Sequence, residues 1–414
     1  MSRQGRVLKN RVLVGKGGIA LQIDYIKVPE RVRGFEKQII ELRRDFHMHP
    51  ELANDEVRTS RVVGEVLEGL GLKVTRGIPE TGVVAVLEGR GGGKTVALRA
   101  DMDALPIQDQ KEVTYSSRVE GKMHACGHDA HTAMLLGAAM VLTEIKDNLN
   151  GRVKFIFQPA EETIGGAARM IEAGVMEDPD VDAVFGLHVS PELETGTVGI
   201  RYGIANACSD DVFIEVLGRS AHGAQPNEGV DAIVIAAQVL SALQHIISRG
   251  IDPLESATLT IGTIKGGRQA NIIADRVAMN GTIRTLDSAV RDKIQSSIEE
   301  IAVNICRSMG GQCRVAFRPG YPMLINDNAM TDLVRNAAGR IVGNSVMEIQ
   351  KPRLGVEDFA FYLQRAPGAF WRLGTGNKEK GIDCITHSPN FDIDEDALSI
   401  GTAVHAQTVL EYLQ

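Results

Sequence analysis

Cysteine is scarce in this sequence. Five of them, an odd number, are spread over 414 residues. That excludes a disulfide framework and points to a reducing, cytoplasmic compartment. Positive charge is not in excess either: the formal net charge is −8, so a nucleic-acid partner has no electrostatic support. No apolar run approaches the length of a membrane span, and no membrane partner is expected. Neither a tandem repeat nor a low-complexity tract is visible. Acids are absent ahead of Asp24, while Arg3, Arg6, Lys9, Arg11 and Lys16 precede it. A signal peptide is one reading of this stretch. Lys16 interrupts its only apolar run and no small-residue cleavage site follows, so an extension ahead of the folded domain is the simpler reading.

What is present suits a globular chain. Apolar residues make up 43% and charged residues 24%, enough for a sizeable core in one large or two ordinary domains. Helical spacing runs from Glu30 and stops at Pro50, and a second helix covers Glu56 to Leu70, closed by Gly71. Strands then alternate with helices: "GVVAVLEG", "TVALRAD", the helix "AHTAMLLGAAMVLTEI", "GRVKFIFQ", the helix "GGAARMIEAG" and "VDAVFGLHV". This alternation predicts an α/β layer around a mixed, mostly parallel sheet. Between about 206 and 318 the order changes to βαββαβ, the pattern of a ferredoxin-like α+β unit. The expected layout is an extension over 1–28, a catalytic domain in two segments, 29–205 and 319–414, and a lid or dimerisation domain inserted at 206–318.

"GRGGGKT" invites a phosphate-loop reading, but only three residues separate Gly89 from Gly93 where four are needed. A strand follows it rather than a helix, so a β-turn is expected. "MHACGHDAH" is different, with three of the chain's ten histidines and one of its five cysteines. Cys126 and His128 could converge in a loop, and the following helix would favour a thiolate at Cys126. Thiolate and imidazole suit zinc-like ions. "FQPAEE" puts Glu161 and Glu162 at the end of a parallel-type strand, where open α/β sheets place ligands. His188 ends another strand, Asp101 and Asp103 end a third, and His387 lies in a late loop. Each is unremarkable alone. Together they have the character of a metal site at a sheet edge.

These stretches occur in order with "GRSAHGAQPNEGVDAI", "NIIADRVAMNGTIRT", "GVEDFAFY" and "THSPNFDIDEDAL". From about residue 35 onward the chain resembles the aminoacylase, hippurate hydrolase and indole-acetyl-amino-acid hydrolase branch of the dinuclear metallopeptidases. The resemblance implies two divalent metal ions held by Cys126, His128, Glu162, His188 and His387, with Cys126 between them. Asp101 falls where relatives outside this branch carry a ligand histidine, and His128 looks like its replacement. Zinc fits these donors, and manganese, cobalt and nickel stay open. The resemblance also implies Glu161 as general base and Asp103 as a residue orienting a ligand or the base. It places His222 in a partner subunit's site beside the oxyanion, and Asn271 and Arg284 against a substrate carboxylate. The implied activity is amide hydrolysis of N-acyl-L-amino acids by a homodimer or homotetramer, with a dipeptidase or carboxypeptidase of the same fold as the alternative. A thiol hydrolase with Cys126 as nucleophile and His128 as base, and a binding protein with a purely structural metal, are the readings from other classes.

Overall fold

The computed structural model describes residues 27–163 and 165–414. The extension expected over 1–28 lies outside them except for Lys27 and Val28, where the first helix already begins. That helix, Val28–Met48, carries proline in its first turn, where no backbone N–H is needed. Its buried stripe includes Val32, Ile39, Arg43 and Phe46. Helix Val57–Gly69 stops just before Gly71, whose φ of 77° lets the chain reverse.

An eight-stranded mixed sheet follows. Its order is Lys73–Arg76, Val83–Glu88, Gly151–Gln158, Lys94–Asp101, Ala183–Glu194, Gly368–Gly376, Val198–Ile200 and Val346–Glu348. The four central strands, from Gly151–Gln158 to Gly368–Gly376, are mutually parallel. Helices Val28–Met48, His128–Glu144, Asn328–Val342 and Asp396–Tyr412 pack together on one face. Short helices Gly166–Glu172 and Ala360–Leu363 contribute to the buried layer on the other. Helix His128–Glu144 is buried from His128 to Leu142, and beyond its polar first turn, from Ala133 to Leu142, it is apolar all round, as a helix enclosed between neighbours must be. "GRGGGKT" is the turn into strand Lys94–Asp101, with Gly91 at φ 71°.

A four-stranded antiparallel sheet lies between residues 208 and 319, in the order Gln312–Pro319, Cys208–Leu217, Arg276–Thr285, Ala257–Gly266. Helices Ala232–His245 and Ser288–Ser308 supply its separate core. Contrary to the expectation from the sequence, one apolar run is as long as a membrane span. Ala232–Gly250 does reach the length and composition of a membrane span, with 19 residues and a mean hydropathy of 1.4. Ala232, Ile235, Ala236, Val239 and Leu243 bury one face of it in the core of this small sheet. Ile233 and Val234 stay exposed on the other.

The parallel strands deliver their carboxyl ends to one edge of the large sheet. Asp101 pairs with Gln158 there, and Arg99 with Gly186. The sheet thereby sets three short segments side by side: 101–103, 159–162 and the stretch around His188.

Candidate metal centre

Those segments converge with the loop ahead of helix His128–Glu144. Donor atoms of Cys126, His128 and His188 lie within 4.8 Å of one another, as do those of Cys126, Glu162 and His387. Cys126 belongs to both groups, so the five residues form two adjoining donor sets that share one sulfur. Cys126 Sγ stands 3.4 Å from His188 Nε2, and His387 Nε2 stands 3.2 Å from Glu162 Oε1. The His188 Nδ1–H donates to the Val189 carbonyl at 2.7 Å, which leaves Nε2 with a free lone pair. Among the described residues, His128 Nε2 is buried without any hydrogen-bond partner, and Glu162 Oε1 makes no hydrogen bond of good geometry either. Buried polar atoms are rarely left so. Unpaired atoms on a sulfur, imidazole and carboxylate set are what a divalent cation would satisfy, so the residues fit two metal ions.

Local backbone geometry makes this convergence. Gly127, at φ 84°, turns the chain between Cys126 and His128, and a Cβ there would stand 2.4 Å from Val189 Cγ2. Ala160 adopts φ 59° and His387 φ 64°, a region that costs energy for residues with a side chain. Both are pinned: Ala160 N–H donates to buried Glu56 at 3.0 Å, and His387 N–H to the Ala125 carbonyl at 2.7 Å.

Asp103 ties the groups together. One carboxylate oxygen accepts from Glu161 N–H at 3.1 Å and stands 3.2 Å from His128 Nδ1. The other accepts from Glu162 N–H at 3.0 Å. Asp101 lies 3.8 Å from His128 Nε2 and engages His131 Nδ1 at 2.6 Å. The other nitrogen of His131 accepts from Val189 N–H at 3.0 Å, which steadies the strand next to His188.

The charge state of Cys126 departs from expectation. Burial, with the Glu162 carboxylate beside it, pushes the thiol well up rather than down. The helix end does not make a thiolate by itself; a bound cation would. Burial opposes charge on His128, yet Asp101, Asp103 and Cys126 raise its pKa well above the ordinary value. Glu161 is held well above the usual carboxylate range by burial and by Glu357, Asp358 and Glu162. Its carboxylate lies within 4.8 Å of those of Glu357 and Asp358.

His222, Asn271 and Arg284 are placed elsewhere. His222 and Asn271 are exposed neighbours on the smaller unit, where Gly223 N–H donates to the Asn271 carbonyl. Arg284, half-buried, donates to the Leu354 carbonyl at 3.1 Å. Among the described residues none of the three hydrogen-bonds to a donor of the centre.

Two groups around the centre escape a reading of motifs. Arg99 binds Asp101 and Asp358, both at 2.6 Å. Arg43 binds Asp129 and Asp392, both at 2.9 Å, and His47 Nδ1 meets the same Asp129 oxygen at 2.6 Å. The buried stripe of the first helix could have flagged Arg43 and His47, since charged groups are seldom buried without partners. A polar cleft of about 650 Å³ around Lys154 and Asp182 opens at the other ends of the parallel strands, away from these donors.

The profile of the peptidase family M20/M25/M40 matches residues 97–411. This chain belongs to that family. Thermostable carboxypeptidase 2 of Saccharolobus solfataricus is 43% identical over 390 residues, spanning 93% of this chain and 98% of that protein. N-acetyl-L-cysteine deacetylase of Bacillus subtilis is 41% identical over 370 residues, covering 89% and 87%. The crystal structure of the Bacillus subtilis YXEP protein, described as a dinuclear metal binding peptidase from the M20 family, superposes with a TM-score of 0.81. It shares 35% identity and covers 92% of this chain and 99% of that one. As an M20 member the chain is an enzyme, a metal-dependent amidohydrolase of the branch that its motifs resemble.

Proposed function

We propose that this M20 enzyme hydrolyses the amide bond of N-acyl-L-amino acids. The observation that carries the reading is a carboxylate left over. Two donor sets share Cys126, and Glu161 stands against them as a further buried carboxylate. A structural site does not need such a group. Divalent ions bound there, zinc by the donor chemistry, supply Lewis acidity and a water of lowered pKa. Glu161 takes the proton from the attacking water and delivers it to the leaving nitrogen. Asp103 holds Glu161 and Glu162 by their backbone N–H groups, so base and ligand keep their spacing through the cycle. The N-acetyl-L-cysteine deacetylase at 41% identity supports an acyl-amino-acid substrate.

The strand order of the smaller unit supports a ferredoxin-like insertion over 206–318. Exposed Ile233 on its helix and exposed Ile264 on its edge strand support a second copy as partner, forming at least a dimer. His222 would then enter the partner's site, and Asn271 and Arg284 would face the substrate carboxylate. Free thiols at Cys126, Cys208, Cys306, Cys313 and Cys384 support a cytoplasmic location.

The test is hydrolysis of a panel of N-acyl amino acids by metal-stripped protein, with zinc, manganese, cobalt or nickel added back. Activity lost on stripping and restored by one ion is expected; activity surviving complete stripping would make Cys126 the nucleophile. The carboxypeptidase at 43% identity favours a second reading as a peptidase. Turnover of dipeptides above N-acetyl amino acids would establish it.

A further inference from the structure

Arg372 lies beside the metal centre and no motif accounts for it. On strand Gly368–Gly376 it is the direct parallel partner of His188, so the two side chains leave the same face of the sheet. Its guanidinium packs over the Phe370 ring, 5.4 Å from the centroid. It has one long hydrogen bond, 3.5 Å to Asn206 Oδ1. Among the described residues it has no salt bridge. The nearby carboxylate of Glu192 is engaged by Arg353 at 3.3 Å and by Ser190 at 2.8 Å.

The cleft into which it faces is cationic. Arg201, Lys351, Arg353 and Arg372 line it with Asn206 and Phe370, and among the described residues no acid is in its walls. Its free space is about 20 Å³. That is about the room that one or two waters need, the size of an anionic head group rather than a whole substrate. Arg353, a like charge, lines the same cleft. A half-buried guanidinium held against a like charge, with five donors and one weak acceptor, lacks an anion.

We propose that Arg372 binds a carboxylate of the substrate next to the metal centre, in addition to the contact assigned to Arg284. This rests on the amide-hydrolase reading above. The carboxylate is either the α-carboxylate of the amino acid or a second one on an acidic side chain, and the same experiment separates the two. Holoenzyme carrying Glu161→Gln, which binds without turning over, is compared with the same protein carrying Arg372→Met as well. Each is titrated calorimetrically with N-acetylmethionine, N-acetylmethioninamide, N-acetylglutamate and N-acetylglutamine, and its metal content is measured.

Arg372→Met should weaken the charged ligand by about 10–100-fold, the loss of a charged hydrogen bond, with metal content and amide binding unchanged. Loss for N-acetylmethionine but not its amide identifies the α-carboxylate. Loss confined to N-acetylglutamate identifies the side chain. Equal binding by both proteins, or no carboxylate binding by either, overturns the proposal. Arg372→Lys, which keeps the charge, should recover part of the affinity; recovery equal to that of Arg372→Met would also count against it. Carboxylate binding lost with Arg372, in a wild-type enzyme that turns over no N-acyl amino acid, would sink the proposed reaction and leave this site standing.

Discussion

Replacing Glu161 by Gln keeps its volume and removes its basicity. The variant should lose about 10²–10⁴-fold in kcat and keep its metal, which metal analysis of the purified protein would check. Asp103 predicts the opposite signature. It holds Glu161, Glu162 and His128 at once, so Asp103→Ala should lower metal affinity by about 10–100-fold, read by competition with a chromogenic chelator. Lys154 gives a pH signature away from the centre. Burial lowers its pKa to about 8, although Asp178 and Asp180 oppose this. The unfolded chain keeps that proton to about pH 10.4. Between the two values the unfolded state binds more protons, so stability rises with pH. Urea unfolding between pH 8 and 10 should show this rise in the wild type and a smaller one in Lys154→Met.

Among the elements, strand Gly368–Gly376 was not legible although it is central to the sheet. "GAFWRLGTG" is glycine-rich, which argues against a strand. Neighbouring backbone explains the glycines: a Cβ at Gly374 would stand 2.1 Å from the Glu194 carbonyl oxygen. Gly374→Ala should therefore destabilise the protein by about 1–3 kcal/mol, measured as a lowered urea midpoint with an unchanged slope. The strands "GRVKFIFQ" and "RVAMNGTIRT" have their expected bounds, because apolar or alternating residues form compact runs there. Arg43 shows how a helix can serve the site from outside its motifs. It crosses to Asp129 in the helix that starts at His128 and to Asp392 near the C-terminal helix. Removing one partner of a buried ion pair costs about 3–5 kcal/mol. Arg43→Met should lose stability of that order.

At the scale of the whole molecule, the proposed dimer makes a prediction that no single chain can meet. If His222 serves the partner's site, Glu161→Gln and Glu161-intact His222→Ala chains are each inactive alone. A mixed dimer rebuilds one complete site from the Glu161 of one chain and the His222 of the other. Refolding the two together should restore activity; none would appear if His222 served its own chain. Exposed Ile233 and Ile264 predict that changing both to Glu gives a monomer by sedimentation, with loss of activity.

Alternation of strands and helices, the terminal glycines and the donor-rich loop could all be read along the chain, because each depends on local periodicity or on neighbours a few residues apart. The same holds for the donor types at Cys126, His128, Glu162, His188 and His387. Their grouping into two sets sharing one sulfur could not be derived from local spacing, nor could the burial that raises Cys126, the anchoring role of Asp103 or the position of Arg372 beside His188. Those depend on which strands lie side by side and how deeply a group is enclosed, and only the closed sheet with its helices packed on it decides that.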